Sequence, residues 1–351
     1  MKINSSQLYN EACLDVVVVT IFSLSRSIKD FPFPNVNMTE EDASEVIKMV
    51  DDSFDKLEEA SEYKKINVDS LDILTRKILE EANVIPNKFD ESVKKQIIIN
   101  EDNSVSILLN FNEHISIRSR SFGFFIKEIC NKIFMLEEHF EKDLPVLNDK
   151  ELGHITSDIF YFGTSLRQSV LLSIPGIVMM NKLGAVIEDL RYIGIHVNGY
   201  YAATSHESMG WVYYLYNEAS ITGSEEEQVF RFSNNVLKII YLEREQRCQL
   251  YLKNKVKTID MIAKALAIAK IAKLLDVEEA VNLAFKIKLG FSLSIIDNTN
   301  DHECNALFYK VQVAHIAYAL LNSGFKNLGD ELIKMERASV LNRFSQKIRL
   351  V

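Results

Sequence analysis

The chain has 351 residues, 47% hydrophobic and 25% charged, with 12 Gly and 5 Pro, a composition that excludes disordered, collagen-like and low-complexity classes. Its length exceeds what one hydrophobic core normally fills, so two domains are expected. With 40 Lys+Arg against 49 Asp+Glu the net charge is -9, which excludes broad nucleic-acid binding, because phosphates are neutralised by clustered cations.

The N-terminal stretch carries one early Lys and a short apolar run broken by Thr20 and Ser23, unlike a signal peptide. No segment offers about 18 uncharged apolar residues, so no membrane span is expected, and a cytoplasmic location is the simplest expectation. Cys13, Cys130, Cys248 and Cys304 form no CxxC pair, and the seven histidines form no HExxH, so neither a disulfide framework nor a metal site is predicted.

Asp15 to Ser23 is a β-branched run that predicts a strand, and the prolines of FPFPN then forbid regular structure. A helix starts at the Thr39 cap, with Glu40, Glu41 and Asp42 suiting its dipole, and is predicted to reach about Tyr63. IIIN (97–100) and SVSILLNF (104–111), separated by Glu101, Asp102 and Asn103, predict a hairpin. Read onward as one strand, SILLNFNEHISI (106–117) would set Asn110, Asn112, His114, Ser116 and Arg118 along one face. That row fits either a wet outer face or the lining of a cleft, and alternation alone does not choose.

SFGFFIKEICNKIFMLEEHF predicts a helix. FGTSLRQSVLLSIPG (162–176) predicts another from Thr164 to near Pro175, and Asn181 to Tyr192 a third. Strands are expected at 194–201 and 211–220. A helix start at Gly163 and Thr164, with Arg167 in the first turns, would be an anion site; the alternative is an ordinary cap beside a surface cation.

From Ser224 the pattern is helical: SEEEQVFRF opens at a Ser cap, and TIDMIAKALAIAKIAKLL, VEEAVNLAFKIKLG and FYKVQVAHIAYALLNSG repeat near 3.6. The expected architecture is α+β, an antiparallel sheet flanked by helices over 1–250, followed by an all-helical domain over 251–351. No GxxxxGK[ST], GxGxxG or GxSxG occurs.

FGTSLRQSVLLSIPGIVMMNKLG resembles LGTGLRASVMLHLPGLVLTKQI of the ATP:guanido phosphotransferases, and most closely the bacterial protein-arginine kinases. VVVVTIFSLSRSIKDFPFP is similar to the family's VVLSSRIRLARNLEHYPFP, and YIGIHVNGYYAATSHESMGWVYYLYNEASITGSEEE to its RG-x-x-GE region. The resemblance runs on through KLLDVEEAVNLAFKIKLGFSLSII into the helical tail, so it covers nearly the whole chain.

What the resemblance implies for the chemistry is mostly loss. NFNEHISI is similar to the family's NEEDHLRI, which sets Asn112 at the Glu that deprotonates the guanidinium and Ser116 at a phosphate-binding Arg. Ile21 and Ser23 stand at two ATP-clamping arginines, Asn198 at a third, and Ala203 at the second Glu. Asp158, Ile159, Phe160 and Tyr161 replace CPTN, putting Asp158 at the Cys position, while Arg167 keeps its phosphate-binding Arg. The tail's RDxxRA motif reads Ile333, Lys334, Met335, Glu336, Arg337, Ala338, so the phosphoarginine pocket is expected to be degenerate.

Phosphoryl transfer rests on positioning and charge, and one transition-state cation is worth about 10³ to 10⁵ in rate. Loss of four, with a carboxylate, implies a pseudokinase that serves as a regulatory or scaffold module, with no cofactor. Its partners by analogy are a second copy of itself, a small zinc-binding activator protein and Clp-type machinery in a stress response. The rival expectation is an active ATP- and Mg-dependent protein-arginine kinase using relocated Glu113, Arg118 and Arg120, which would need these to converge with Arg167 and Arg191.

Overall fold

The computed structural model describes residues 10–200, 208–297 and 301–351. Eight strands carry the fold: β1 (Val17–Arg26), β2 (Tyr63–Asn67), β3 (Gln96–Asn100), β4 (Val105–Leu109), β5 (Ile115–Phe122), β6 (Leu166–Ser173), β7 (Ile195–Gly199) and β8 (Val212–Asn217). They hydrogen-bond in the order β7-β8-β6-β1-β5-β4-β3-β2. The helices are α1 (Glu40–Phe54), α2 (Ile73–Glu81), α3 (Ile126–Asp143), α4 (Pro175–Met179), α5 (Leu183–Tyr192), α6 (Glu225–Ile271), α7 (Val277–Ser292), α8 (Asp301–Lys310), α9 (Val313–Asn322) and α10 (Asp330–Ser345). No helix among the described residues is long and apolar enough to cross a membrane. The α+β expectation with a large antiparallel sheet, flanking helices and a helical tail is what the structure shows.

Contacts divide the chain into two compact units, the first built chiefly from Thr20–Ser169 and Tyr216–Asn234. The second comprises Ala12–Val19, Val170–Leu215 and Asn235–Val351.

In the first unit β2, β3, β4 and β5 pair antiparallel, with Ile97 opposite Leu108 and Leu108 opposite Ser116. Directly opposed residues share a sheet face, so Ile97, Ile99 and Leu108 point together into a cluster with Val68, Val84, Ile85 and Phe111. Helix α1 begins where its sequence requires: the Thr39 hydroxyl accepts from the Asp42 backbone N–H, and the Asp42 carboxylate accepts from Thr39 N. It buries Ala43, Val46, Ile47, Val50 and Phe54 and stops there, nine residues short of Tyr63, because Tyr63 opens β2. Strand β2 and helix α2 have no counterpart among the predicted elements.

The stretch 106–117 is two strands and a turn. Asn110 takes φ +59, its N–H donates to the His114 carbonyl at 3.1 Å, and its side-chain amide donates to Ala43 O and Lys94 O. The single polar row is therefore broken: Asn112 is exposed at the turn, His114 is fully buried, and only Ser116 and Arg118 remain on β5. His114 Nδ1 accepts from Ile28 N–H at 2.9 Å while its Nε2 faces Pro32 O at 2.8 Å, and Phe33 stacks on the ring. One imidazole thus fixes the proline-rich loop after β1.

The predicted helix at 164–175 is instead strand β6. A segment buried on both faces shows no period that separates a buried helix from a central strand, and LRQSVLLS, with seven of its eight residues buried, is the second. The predicted helix 121–140 starts only at Ile126, since β5 runs on to Phe122. Strand β7 ends at Gly199, and Tyr201 lies outside the described residues.

Helix α6 opens in the first unit at the Ser224 cap, whose hydroxyl accepts from Glu227 N while Glu227 accepts from Ser224 N, and from Asn235 onward it belongs to the second unit. Asn254 breaks its regular geometry with φ -130° and ψ 33°. The tail stretch expected as one helix divides into α8 and α9 at Gln312, which turns to extended backbone and caps the second piece. Buried Glu243 of α6 accepts from Gly176 N and Ile177 N, both at 2.9 Å, and so holds the first turn of α4. Arg247 meets Glu243 at 3.4 Å and Asp15 at 2.5 Å, while Arg244 adds a second ion pair to Asp15 at 2.7 Å. Burial pushes the Glu243 carboxyl up to about 7, against the opposing pull of Arg247 and the two N–H groups.

Two outcomes follow. Burial holds the His114 pKa below its ordinary 6.5, so its stabilisation is complete above that pH and is lost as the solution is acidified. Urea titrations at pH 7.5 and 5.5 are expected to show His114→Ala costing roughly 2–4 kcal/mol at the higher pH and less at the lower. Glu243 has the opposite sign: its folded pKa is raised from 4.5 to about 7, so its proton-linked stabilisation is present below 4.5 and gone above 7. Glu243→Gln, which leaves one backbone N–H without its acceptor, is expected to cost about 1–3 kcal/mol and to remove that slope from the pH–stability curve.

Candidate functional site

The residues singled out around 112–118 and 156–167 lie in the first unit, where backbone hydrogen bonds assemble them. His154 and Gly163 exchange both N–H···O bonds (2.9 and 3.2 Å), closing a loop whose tip is Asp158–Tyr161. The two backbones cross so closely that a Cβ on Gly153 would lie 2.8 Å from Gly163 Cα. Gly163 itself has φ +90, and a Cβ there would meet Ser220 O at 3.0 Å.

This loop is docked onto the 110–114 turn by Glu113. Its buried carboxylate accepts from Ser157 N (2.9 and 3.0 Å), from Ser157 Oγ at 2.6 Å and from Ser27 Oγ at 3.3 Å. Burial raises the Glu113 pKa, while the Ser157 donors and the charge of Arg167 oppose the rise. With both oxygens engaged, Glu113 is a fastening between loops.

Arg167, at the start of β6, lies with its guanidinium carbon 3.7 Å from the centre of the Tyr161 ring and a nitrogen 3.6 Å from the Asp158 carboxylate. Asp158 also caps the short turn 159–161 by accepting from Phe160 N. Thus Asp158, which the resemblance sets at the family's Cys position, supplies a counter-charge to Arg167.

No helix begins at Gly163 and Thr164, so the helix-start anion site predicted there is replaced by a turn, three of whose backbone N–H groups have partners. Gly163 N donates to His154 O, Thr164 N to Ser220 O, and Leu166 N to the Thr164 hydroxyl. Thr164 Oγ1 in turn donates to Gln228 Oε1 at 2.9 Å. Arg118 and Arg120, the proposed substitutes, reach the segment after α2, donating to Val84 O at 2.9 Å and to Ala82 O. Those carbonyls belong to the segment after α2, whereas Arg167 meets Asp158 and Tyr161.

On β1, Ile21 is buried and Ser23 half-buried, and the Ile21 carbonyl accepts from Ser169 Oγ at 2.9 Å. Ser116 is half-buried on β5. In the second unit Asn198 is exposed on β7, Arg191 sits in the last turn of α5, and Ala203 lies outside the described residues. In the tail, buried Arg337 donates to Val311 O (2.7 Å) and Leu275 O (2.9 Å), so its guanidinium joins helices. Lys334 pairs with Asp276 and Asp330, both at 3.0 Å, and Ile333 is half-buried on α10.

Sequence reasoning missed Arg26. This fully buried guanidinium donates to Ser25 O and Thr164 O, and pairs with Glu137 and with Glu141 (3.4 Å). Burial lowers its pKa to about 10, with the Glu141 charge opposing. Glu137, Glu141 and His154 place ligand atoms within 4.8 Å of one another, yet a cation is already among them in Arg26. The available signal was the i, i+4 spacing of Glu137, inside the helix predicted over 121–140, and Glu141, just past its end.

Comparison with known proteins agrees with this architecture. Residues 45–246 match the ATP:guanido phosphotransferase C-terminal catalytic domain, and residues 255–348 match the protein-arginine kinase McsB C-terminal domain. The protein-arginine kinase of Brevibacillus brevis is 29% identical over 301 residues, covering 85% of this chain and 84% of the relative. That of Clostridium novyi is 27% identical over 343 residues, covering 97% and 98%. Among solved structures, the duplicated taurocyamine kinase from Schistosoma mansoni, determined with transition state analog components bound, has TM-score 0.62 at 22% identity. That similarity covers 77% of this chain and 40% of the other. Lombricine kinase has TM-score 0.59 at 18% identity, covering 69% and 70%. With more than half its length matched by the catalytic domain, the chain belongs to the ATP:guanido phosphotransferase family.

Proposed function

We propose that this chain is a protein-arginine kinase relative that has lost phosphoryl transfer and works as a regulatory or scaffold module through protein binding. The observation that carries the reading is the state of Arg167: the one phosphate-binding arginine that the resemblance retains is stacked on Tyr161 and faces Asp158. A triphosphate arriving there would have to displace a carboxylate already in place, with apolar or neutral side chains at Ile21, Ser23, Ser116 and Asn198 where the family has cations. The residues present do not fit ATP and its magnesium.

The base is missing for a separate reason. Asn112, exposed at the turn, has no proton-accepting carboxylate, and the neighbouring Glu113 is fastened to Ser157 and Ser27. Four absent cations at about 10³ to 10⁵ each leave no measurable share of the family's rate. What persists is a folded scaffold with ordinary cores, suited to binding proteins. By family analogy those are a small zinc-binding activator protein and Clp-type machinery, and the location is cytoplasmic.

Isothermal titration calorimetry of ATP with Mg²⁺ tests the reading. No heat is expected at millimolar nucleotide for either the native chain or Arg167→Ala. Micromolar binding that disappears in Arg167→Ala would reveal a working nucleotide site and overturn the proposal.

A further inference from the structure

An ionised side chain taken out of water needs its charge matched locally, and around Arg26 the match is incomplete. Glu137 and Glu141, one turn apart on α3, both pair with its guanidinium. Glu225 adds a third carboxylate near enough to act on the same charge. One cation thus faces three carboxylates, all within the first unit, and two negative charges are left over. Arg26 is also tied to the Ser25 and Thr164 carbonyls, which fixes it on one side of the group.

His154 completes the cluster. It is 9% exposed, and its Nε2 lies 3.1 Å from Glu141 Oε1, so the ring points at the carboxylates. Its Nδ1 is buried without a hydrogen-bond partner. Arg26 Nε is a second such atom: beyond the 3.4 Å ion pair to Glu141 it makes no hydrogen bond. Buried polar atoms are nearly always satisfied, so two unpartnered nitrogens beside an excess of negative charge set this cluster apart from ordinary surface acids.

Glu137, Glu141 and His154 bring their ligand atoms within 4.8 Å of one another. Ligands on one zinc ion, with bonds of about 2.0–2.1 Å in a tetrahedron, sit roughly 3.3 Å apart. Glu141 and His154, at 3.1 Å, are already close to that spacing. Arg26 takes Oε1 of each glutamate, and neither Oε2 meets a donor among the described residues. Each carboxylate can therefore face the guanidinium with one oxygen and an ion with the other. The Glu141 side chain is 39% exposed, which opens the group to solvent.

We infer that Glu137, Glu141 and His154 form a binding site for a divalent transition-metal ion of the zinc type, with Arg26 remaining on the far side of the two carboxylates. An imidazole beside carboxylates favours such an ion over magnesium or calcium, which prefer oxygen alone. A water completing the tetrahedron is the acceptor that Arg26 Nε lacks. The ion joins α3 to the start of the closed 154–163 loop, whose tip carries Asp158 against Arg167. Its role is that of a fastening, and the inference is independent of whether the nucleotide site is silent.

Isothermal titration calorimetry of zinc chloride into the metal-free full chain is expected to show one site of micromolar or tighter affinity. His154→Ala and Glu141→Gln are each expected to weaken it about tenfold or more. Cobalt(II) separates this site from binding at the exposed Cys248 thiol, since cobalt on nitrogen and oxygen absorbs in the visible without a near-ultraviolet thiolate band. Circular dichroism checks that the variants are folded. Should His154→Ala fail to fold, Glu141→Gln, whose side chain is partly in water, carries the test. A native chain that takes up no zinc, a site that neither substitution weakens, or a cobalt spectrum dominated by the thiolate band would overturn the inference.

Discussion

A guanidinium removed from water must be met by carboxylates or carbonyls, and Arg26 imposes that constraint on the first unit. Its charge, fully buried on β1, is met from α3 by Glu137 and Glu141 and from the turn before β6 by the Thr164 carbonyl. Truncating one partner of such a buried pair typically costs about 3–5 kcal/mol, because the other charge stays behind without compensation. Strand, helix and turn are therefore held in one arrangement by a single side chain. The loops around Glu113 and Arg167 inherit their positions from it.

The groups that hold the loops are separate from those at the positions that the resemblance assigns to the family's chemistry. His114, Glu113 and Arg26 are buried and bonded across the loops, and their replacement would disturb packing. Ser116 and Asn112 are accessible, and changing either leaves no buried group without a partner. The tail shows the same division: Arg337 ties backbone carbonyls of two segments, whereas Lys334 forms only surface ion pairs, each of small value.

Much of the fold was legible where local chemistry decides it. The Thr39–Asp42 and Ser224–Glu227 boxes mark helix starts, and Asn103, with φ +56, turns the 100–104 hairpin. Where burial on both sides removes periodicity, as in LRQSVLLS, helix and strand were indistinguishable. The break at Asn110 required knowing that Ala43 and Lys94 wait for its amide, a long-range fact. For the site, the sequence pointed to Arg167 and Asp158, nine residues apart, without revealing that they face each other. The union of Glu113 with Ser157, 44 residues on, left no trace in spacing.

The closed loop between His154 and Gly163 has one further implication. Its ends are joined by two backbone bonds, its interior by the Thr156 and Asp158 turns, and its flank by Glu113. The conformational entropy that a free segment surrenders on contact has here already been lost in folding. Whatever meets Ile159 and Phe160 encounters side chains presented from a preorganised frame, so even a small apolar contact keeps most of its gross interaction energy.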